Sequence, residues 1–329
     1  MSTNPAVPRI KRRVLLASSA GAAAAASGLG VWATQNAGAE EASPQQAAPM
    51  QDGPLGWASQ NGGVTGGTEE VAVSGADEFL AAIGEGGLIV RLSGEIAISG
   101  MNDVASDTTI VGDSGARITG GGLDVSEQSN VIITNLVFDD WDDDAINVQE
   151  GSTNIWVHHN TFGIGYDGCL DVKRGSDYVT VGWNVFNGHD KNMLLGHSDD
   201  NGSQDTGHLR VTYHHNLFNG TNQRNPRVRF GEQVHVLNNH YKGVGGYGIA
   251  TTMDAGVIVE GNYFENVAEP THIGEGDSEP GRLVEMGNVL DGSGEILTAG
   301  SVDTALPYEY AADAADAVPG IVGEGAGAK

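Results

Sequence analysis

Cysteine is all but missing from this 329-residue chain. Cys169 stands alone, so neither an internal disulfide nor a cysteine-built zinc site can form. Any metal must be held by oxygen or imidazole. Basic residues are scarce as well, 16 against 43 acidic for a net charge of −27. That balance argues against a nucleic-acid partner, whose affinity comes mainly from neutralised phosphates, and equally against an anionic membrane surface. Charged residues make up only 18% of the chain while glycine reaches 50 residues, a turn-rich composition that is not polar enough for wholesale disorder. Many short strands fit it better than long helices.

The first 39 residues read as an address. Arg9, Lys11, Arg12 and Arg13 precede a weak apolar run from Val14 to about Ala33, and Ala37-Gly38-Ala39 supplies a small-residue cleavage site. The paired Arg12-Arg13 points to the twin-arginine route, and the mature protein is expected outside the cell, with no membrane anchor. Its removal leaves 12 basic against 43 acidic residues, a surface suited to solubility in high salt. Residues 40–52, rich in Glu, Gln, Ala and Pro, read as a disordered linker.

The body of the chain repeats. Ile155-Trp156-Val157-His158-His159-Asn160-Thr161-Phe162 resembles Val131-Ile132-Ile133-Thr134-Asn135-Leu136-Val137-Phe138, and further copies end in Asn184-Val185-Phe186, Asn216-Leu217-Phe218, Asn239-His240-Tyr241, Asn262-Tyr263-Phe264 and Asn288-Val289-Leu290. The seven asparagines are 25, 24, 32, 23, 23 and 26 residues apart. Such a period, with β-branched strands and Gly or Asp punctuation, predicts an all-β chain, a right-handed parallel β-helix over 53–300. Leucine-rich repeats lack their template here, and propeller blades need about 40 residues. One asparagine per coil predicts an amide ladder at a spacing of ~4.8 Å. A helix around Asp77–Ile83 is expected to cap the N-terminal end, and residues 301–329 read as a loose wrap or a disordered tail. A capped solenoid needs no partner, so a monomer is expected.

The period gives the charged residues a common register. Asp142, Asp167 and Lys191 each follow their asparagine by seven residues, and Lys173 and Arg229 theirs by 13. Asp144 and Asp171 share the same stretch, and Arg224 sits at offset eight, after the long interval that implies a bulging loop. The carboxylates of Asp142, Asp144, Asp167 and Asp171 would repel one another unless a divalent ion sat among them, and oxygen-only ligands suit Ca2+. Taken alone, Asp142-Asp143-Asp144 also reads as a solvated acidic turn. Yet seven of the 12 mature basic residues, from Lys173 to Arg229, fall in one 57-residue window. A cationic patch with Ca2+ on an acidic solenoid suits a polyanion bearing carboxylates at regular intervals, such as an extended acidic polysaccharide.

From Gly56 to Leu290 the chain resembles pectate lyases of polysaccharide lyase family 1. The resemblance rests on the joint order of Gly56-Trp57-Ala58, Gly62-Gly63-Val64-Thr65-Gly66-Gly67, Ser106-Asp107-Thr108-Thr109-Ile110-Val111-Gly112, Asp144-Ala145-Ile146, Trp156-Val157-His158-His159-Asn160, Asp167-Gly168-Cys169-Leu170-Asp171-Val172-Lys173, His189-Asp190-Lys191, Tyr213-His214-His215-Asn216 and Arg224-Asn225-Pro226-Arg227-Val228-Arg229. It implies Asp144, Asp167 and Asp171 as primary Ca2+ ligands, with Asp142 assisting, and Arg224 as the Brønsted base. It further implies Lys191 and Arg229 on substrate carboxylates and Lys173 on the sugar chain. The implied reaction is β-elimination on polygalacturonate. An arginine base works only among other cations, which implies a strongly alkaline working range. His158 departs from the family's usual Asp in Trp-x-Asp-His-Asn, and Cys169 sits between two implied ligands; both read as structural. Three alternatives stay open: a Ca2+-independent pectin lyase, a polygalacturonase, whose Asn-Thr-Asp and Gly-His-Gly signatures are absent, and a non-catalytic polysaccharide-binding solenoid.

Overall fold

Each coil alternates a strand that turns β-branched side chains inward with a tight turn that reverses the chain, and stacking such coils is the way to bury their single apolar stripe. The protein, described by a computed structural model over residues 53–329, stacks them into a parallel β-solenoid of about ten turns. The signal peptide and linker expected over residues 1–52 lie outside the described residues. One face is a ten-stranded parallel sheet from Glu69–Val73 to Arg282–Met286. A second face climbs from Val137–Asp139 through Thr161–Phe162, Val185–Asn187, Leu217–Asn219 and His240–Lys242 to Val289–Asp291. The third climbs from Ile146–Gln149 through Leu170–Val172, Leu194–Leu195 and Arg227–Arg229 to Tyr247–Thr252 and Glu269–Ile273. Arg117–Ser126 pairs with both of the latter faces and joins them.

Two ladders fill the interior. Phe138, Phe162, Phe186, Phe218, Tyr241 and Phe264 stack ring on ring, with centroids 4.6–5.2 Å apart. Beside them Asn160, Asn184, Asn216, Asn239 and Asn262 are fully buried. Each amide oxygen accepts the backbone N–H of the coil before it, as when Asn216 Oδ1 takes Asn184 N–H at 3.0 Å, and each Nδ2 donates to a carbonyl of that coil. The ladder begins one residue off the sequence reading. Leu136, not Asn135, occupies the first rung, its N–H donating to Asn160 Oδ1 at 3.1 Å. Asn135 instead adopts a left-handed φ of 57° outside the core and binds Gly112 O.

The expected N-terminal cap is the helix Ala76–Glu85, with Phe79 and Ile83 fully buried against the first coils. At the other end the chain runs back across the ten-stranded sheet. Tyr308 packs edge-on to Trp57 and bonds Thr212 and His235, Asp313 bonds His215 at 2.9 Å, and the helix Val318–Gly325 sets Val318 and Val322 on Trp183, Val185, Leu217 and Tyr263. His158 stacks on Trp156 at 3.7 Å and lies 2.8 Å from His159, ring nitrogen to ring nitrogen. Among the described residues no helix is long and apolar enough to cross a membrane.

Asn216→Ala is expected to lower stability by about 3 kcal/mol, because two buried backbone groups of the preceding coil, Asn184 N–H and the Val181 carbonyl, lose their partner at ~1–3 kcal/mol each. Asn288→Ala, at the half-exposed end of the ladder, costs less, and urea midpoints for the two variants check the order. Burial lowers His158 to about 3 and His159 to about 4. Between those values and the ordinary 6.5, unfolding takes up protons, so stability falls as pH drops through that window. Thermal midpoints at pH 6.5 and 4 should show the fall, and His158→Asn should flatten it.

Candidate functional site

The third face carries the charged residues, and its register follows from the first rung. Because the ladder starts at Leu136, Asp167 is level with Asp143, whose carbonyl accepts its N–H at 2.8 Å, and not with Asp142 as the offsets from Asn135 predict. Lys191 stands level with Asp167 in the next coil and pairs with Gln223 beyond it. Lys173 and Arg229 are level through Gly196, as their shared offset requires, since Val172 pairs with Leu195 and Leu195 with Val228.

Asp144 and Asp171 converge in the middle of this face, both nearly buried at 6% and 4% exposure. One oxygen of each is held by a backbone N–H, Gly168 to Asp144 Oδ1 at 2.6 Å and Leu194 to Asp171 Oδ1 at 2.9 Å. The other oxygens face Lys173 Nζ at 3.4 and 3.8 Å. Burial first, then Asp144, pushes the Asp171 carboxyl up to about 7, against the opposing pull of Lys173. Gly168 lies between the two carboxylates: a Cβ there would come within 2.5 Å of Asp171 Oδ1 and 2.9 Å of Asp144 Oδ1. The bare glycine leaves a cradle between two oxygen donors, and a donor set of this kind fits Ca2+. Among the described residues no three acidic, histidine or cysteine side chains converge as a finished metal site; Asp167 looks instead toward the cations of the next coils.

Asp167 Oδ1 accepts from Lys191 Nζ at 3.1 Å and has Arg224 Nη1 at 3.9 Å. The Arg224 backbone is left-handed, φ 58°, and the next residue, Asn225, is clamped by Asn192, Tyr241 and the Tyr247 carbonyl. The guanidinium is thereby aimed from a rigid base, and its buried Nε has no partner among the described residues. Asp142 does not join the group; its Oδ2 accepts from Gly100 N–H at 3.0 Å. Arg229 is nearly buried, bonding Asp199 at 2.6 Å and the Gly196 carbonyl at 3.3 Å. Asp199 comes from the long interval before Asn216, which forms a 3-10 turn, Asp199–Asn201, and the helix Gly202–Asp205. It also accepts from Ser278 Oγ, which in turn takes a bond from Arg227. The sequence reading missed Asp199, Ser278 and Asp143. Of the three, Asp143 alone was visible by period, through its separation of 24 residues from Asp167. Burial pushes the Cys169 thiol well up, in keeping with a small, inert core residue.

Gly168→Ala should force the two carboxylates apart while leaving the coil folded. The expected outcome is a loss of Ca2+-induced thermal stabilisation with little change in the metal-free midpoint, both read from melting curves with and without Ca2+.

The family model described as pectate lyase matches residues 6–317. A probable pectate lyase A of Aspergillus flavus is 40% identical over 237 residues, 67% of this chain and 71% of its own length. A pectate trisaccharide-lyase of Thermotoga maritima is 45% identical over 172 residues, 46% of each chain. Among solved structures, a pectate lyase from Bacillus sp. N165 in complex with trigalacturonate superposes with a TM-score of 0.74 at 29% identity, covering 84% of this chain and 98% of its own. Pectate lyase II of Xanthomonas campestris gives 0.73 at 26%, with the same coverage. A solenoid of this register, with its acidic cradle and cations on one face, together with these likenesses, places the chain in the pectate lyase family of polysaccharide lyases.

Proposed function

We propose that this chain is a secreted, monomeric pectate lyase that cleaves α-1,4-linked polygalacturonate by Ca2+-dependent β-elimination, leaving 4,5-unsaturated oligogalacturonates. The observation that carries the reading is the juxtaposition of a buried carboxylate pair around Gly168 with Lys191 and Arg224, both reaching Asp167 from neighbouring coils. The substrate's regularly spaced carboxylates match that alternation of acid and base along the solenoid axis.

In this reading Asp144, Asp167 and Asp171 would hold Ca2+, and Asp142 would assist them once substrate is bound. Bound there, Ca2+ supplies positive charge to the C6 carboxylate of the galacturonate being cut. Lys191 and Arg229 pair with substrate carboxylates, and Lys173 contacts the sugar chain. Lys191 then stabilises the charge that builds on the C6 carboxylate as the C5 proton departs. Arg224 takes that proton, and the glycosidic oxygen on C4 leaves as the C4–C5 double bond forms. An arginine acts as a base only in its neutral form, so the working range in this reading is strongly alkaline. The leader, residues 1–39, directs the protein out of the cell, where its polymeric substrate lies.

Incubation with polygalacturonate at alkaline pH should raise the ultraviolet absorbance of the conjugated product, and excess chelator should abolish the rise. Arg224→Ala should lower kcat at least about a hundredfold, the scale of a positioned general base. Turnover of methyl-esterified pectin that chelator leaves unaffected would make the chain a pectin lyase instead, and a maximum at pH 5 would remove Arg224 as base. Binding of the polymer with no absorbance change would leave a non-catalytic solenoid.

A further inference from the structure

Tyr166 is out of place for a residue of its kind. Of the large apolar side chains exposed among the described residues, which are Ile164, Tyr166, Leu290 and Leu297, it is the most exposed, at 77%, and the one aromatic. It sits immediately before Asp167, which faces Lys191 and Arg224.

The loop that carries it is rigid. Gly163 N–H donates to Phe138 O, Asp140 N–H to Ile164 O and Tyr166 N–H to Trp141 O, all at 2.8–2.9 Å. Ile164 N–H donates to Asp139 Oδ1 at 3.2 Å. Just beyond Tyr166, the Asp167 carbonyl is held by Trp141 Nε1 at 3.2 Å and His189 Nε2 at 2.6 Å. Gly165 lies flat on Trp141, whose ring atoms would stand 2.1 Å from a Cβ there. With Gly165 against that ring, the side chains on either side, Ile164 and Tyr166, are left in solvent at 61% and 77% exposure. An exposed apolar pair on a mobile loop would be unremarkable surface. Here the backbone entropy is already lost before any ligand binds, the condition under which an exposed ring becomes an effective contact.

We propose that Tyr166 is a sugar-stacking platform, a substrate-binding residue that seats a pyranose ring of the acidic polysaccharide beside Asp167. The inference rests on the polygalacturonate reading above and deepens it. The cations of the site recognise the carboxylates, which point outward from each sugar, but nothing charged recognises the C–H faces of the rings. A phenol ring with its face in solvent does, and its hydroxyl remains free to bond a ring hydroxyl. Adjacent Cα atoms are about 3.8 Å apart, so a sugar on Tyr166 is the same as, or next to, the one whose carboxylate meets the cations around Asp167.

The test compares the parent protein with Tyr166→Ala and Tyr166→Phe, by KM and kcat on polygalacturonate and, separately from turnover, by calorimetric Kd for trigalacturonate. Loss of the ring should raise KM and Kd about fivefold, as for other aromatic contacts, with a much smaller change in kcat. Tyr166→Phe keeps the stacking face and should stay within about twofold of the parent by the same measure, which also shows that replacement at this exposed position leaves the fold intact. An alanine variant that binds as tightly as the parent overturns the proposal, as does a phenylalanine variant as weak as alanine. A parent that binds trigalacturonate but forms no unsaturated product removes the lyase reading and leaves Tyr166 to be judged by Kd alone. A parent that binds neither oligomer nor polymer overturns both.

Discussion

Everything in this protein is placed by the bond between one buried asparagine amide and the backbone of the preceding coil. A coil of a solenoid exposes its turn N–H and C=O groups to the interior, where an unpaired group costs about 1–3 kcal/mol. Asn160, Asn184, Asn216, Asn239 and Asn262 satisfy those groups in series, each accepting from one coil and donating to it as well. The aromatic ladder beside them fixes the same spacing by contact. A slip of one residue would expose the whole inward set on a strand, so the register is held rigidly and the third face inherits it.

That inheritance makes the electrostatics of the site possible. Carboxylates at successive coils are only ~4.8 Å apart, close enough for strong repulsion in a partly buried setting. The chain answers by alternating signs: Asp143 and Asp167 are followed by Lys191, and Lys173 stands against Asp144 and Asp171. Asp171 nonetheless sits near pH 7 in its proton equilibrium, because burial outweighs the single ammonium beside it. A free loop would relax such a pair apart. Strand pairing on both sides, Asn147 to Asp171 and Val172 to Leu195, denies it that escape.

The opposite side of the molecule is organised for closure instead of chemistry. The leading segment around Trp57 and the returning segment around Tyr308 meet over the ten-stranded sheet, bonded to Thr180, Thr212 and His235. The histidines and tryptophans there, His158, His159, Trp183 and His215 among them, stack on one another. His158, where the family resemblance leads one to look for an aspartate, belongs to this packed layer and is remote in role from the acidic cradle. Two chain segments crossing one sheet cover it and give the Thr180, Thr212 and His235 side chains their partners.

The sequence by itself determined the solenoid, because a period of 23 to 26 residues, broken once by an interval of 32, with an asparagine in each copy and an aromatic in all but the last, buries its stripe by stacking. It also placed the cations and carboxylates on one face, since a shared offset means a shared face once the coils stack. It misplaced the first rung, because Thr134-Asn135-Leu136 offers an asparagine one residue before the position the stacking selects, and only pairing with Asn160 shows that Leu136 fills it. With that shift Asp143 replaced Asp142 in the column, and Asp142 turned to Gly100. Asp199, which holds Arg229 from 30 residues away, and Ser278, which holds Asp199, lie in loops with no period and became visible only in three dimensions. Periodicity propagates along a solenoid through identical hydrogen bonds and can be read from the chain. Loop conformation depends on which distant side chains happen to satisfy it, and that the tertiary structure alone decided.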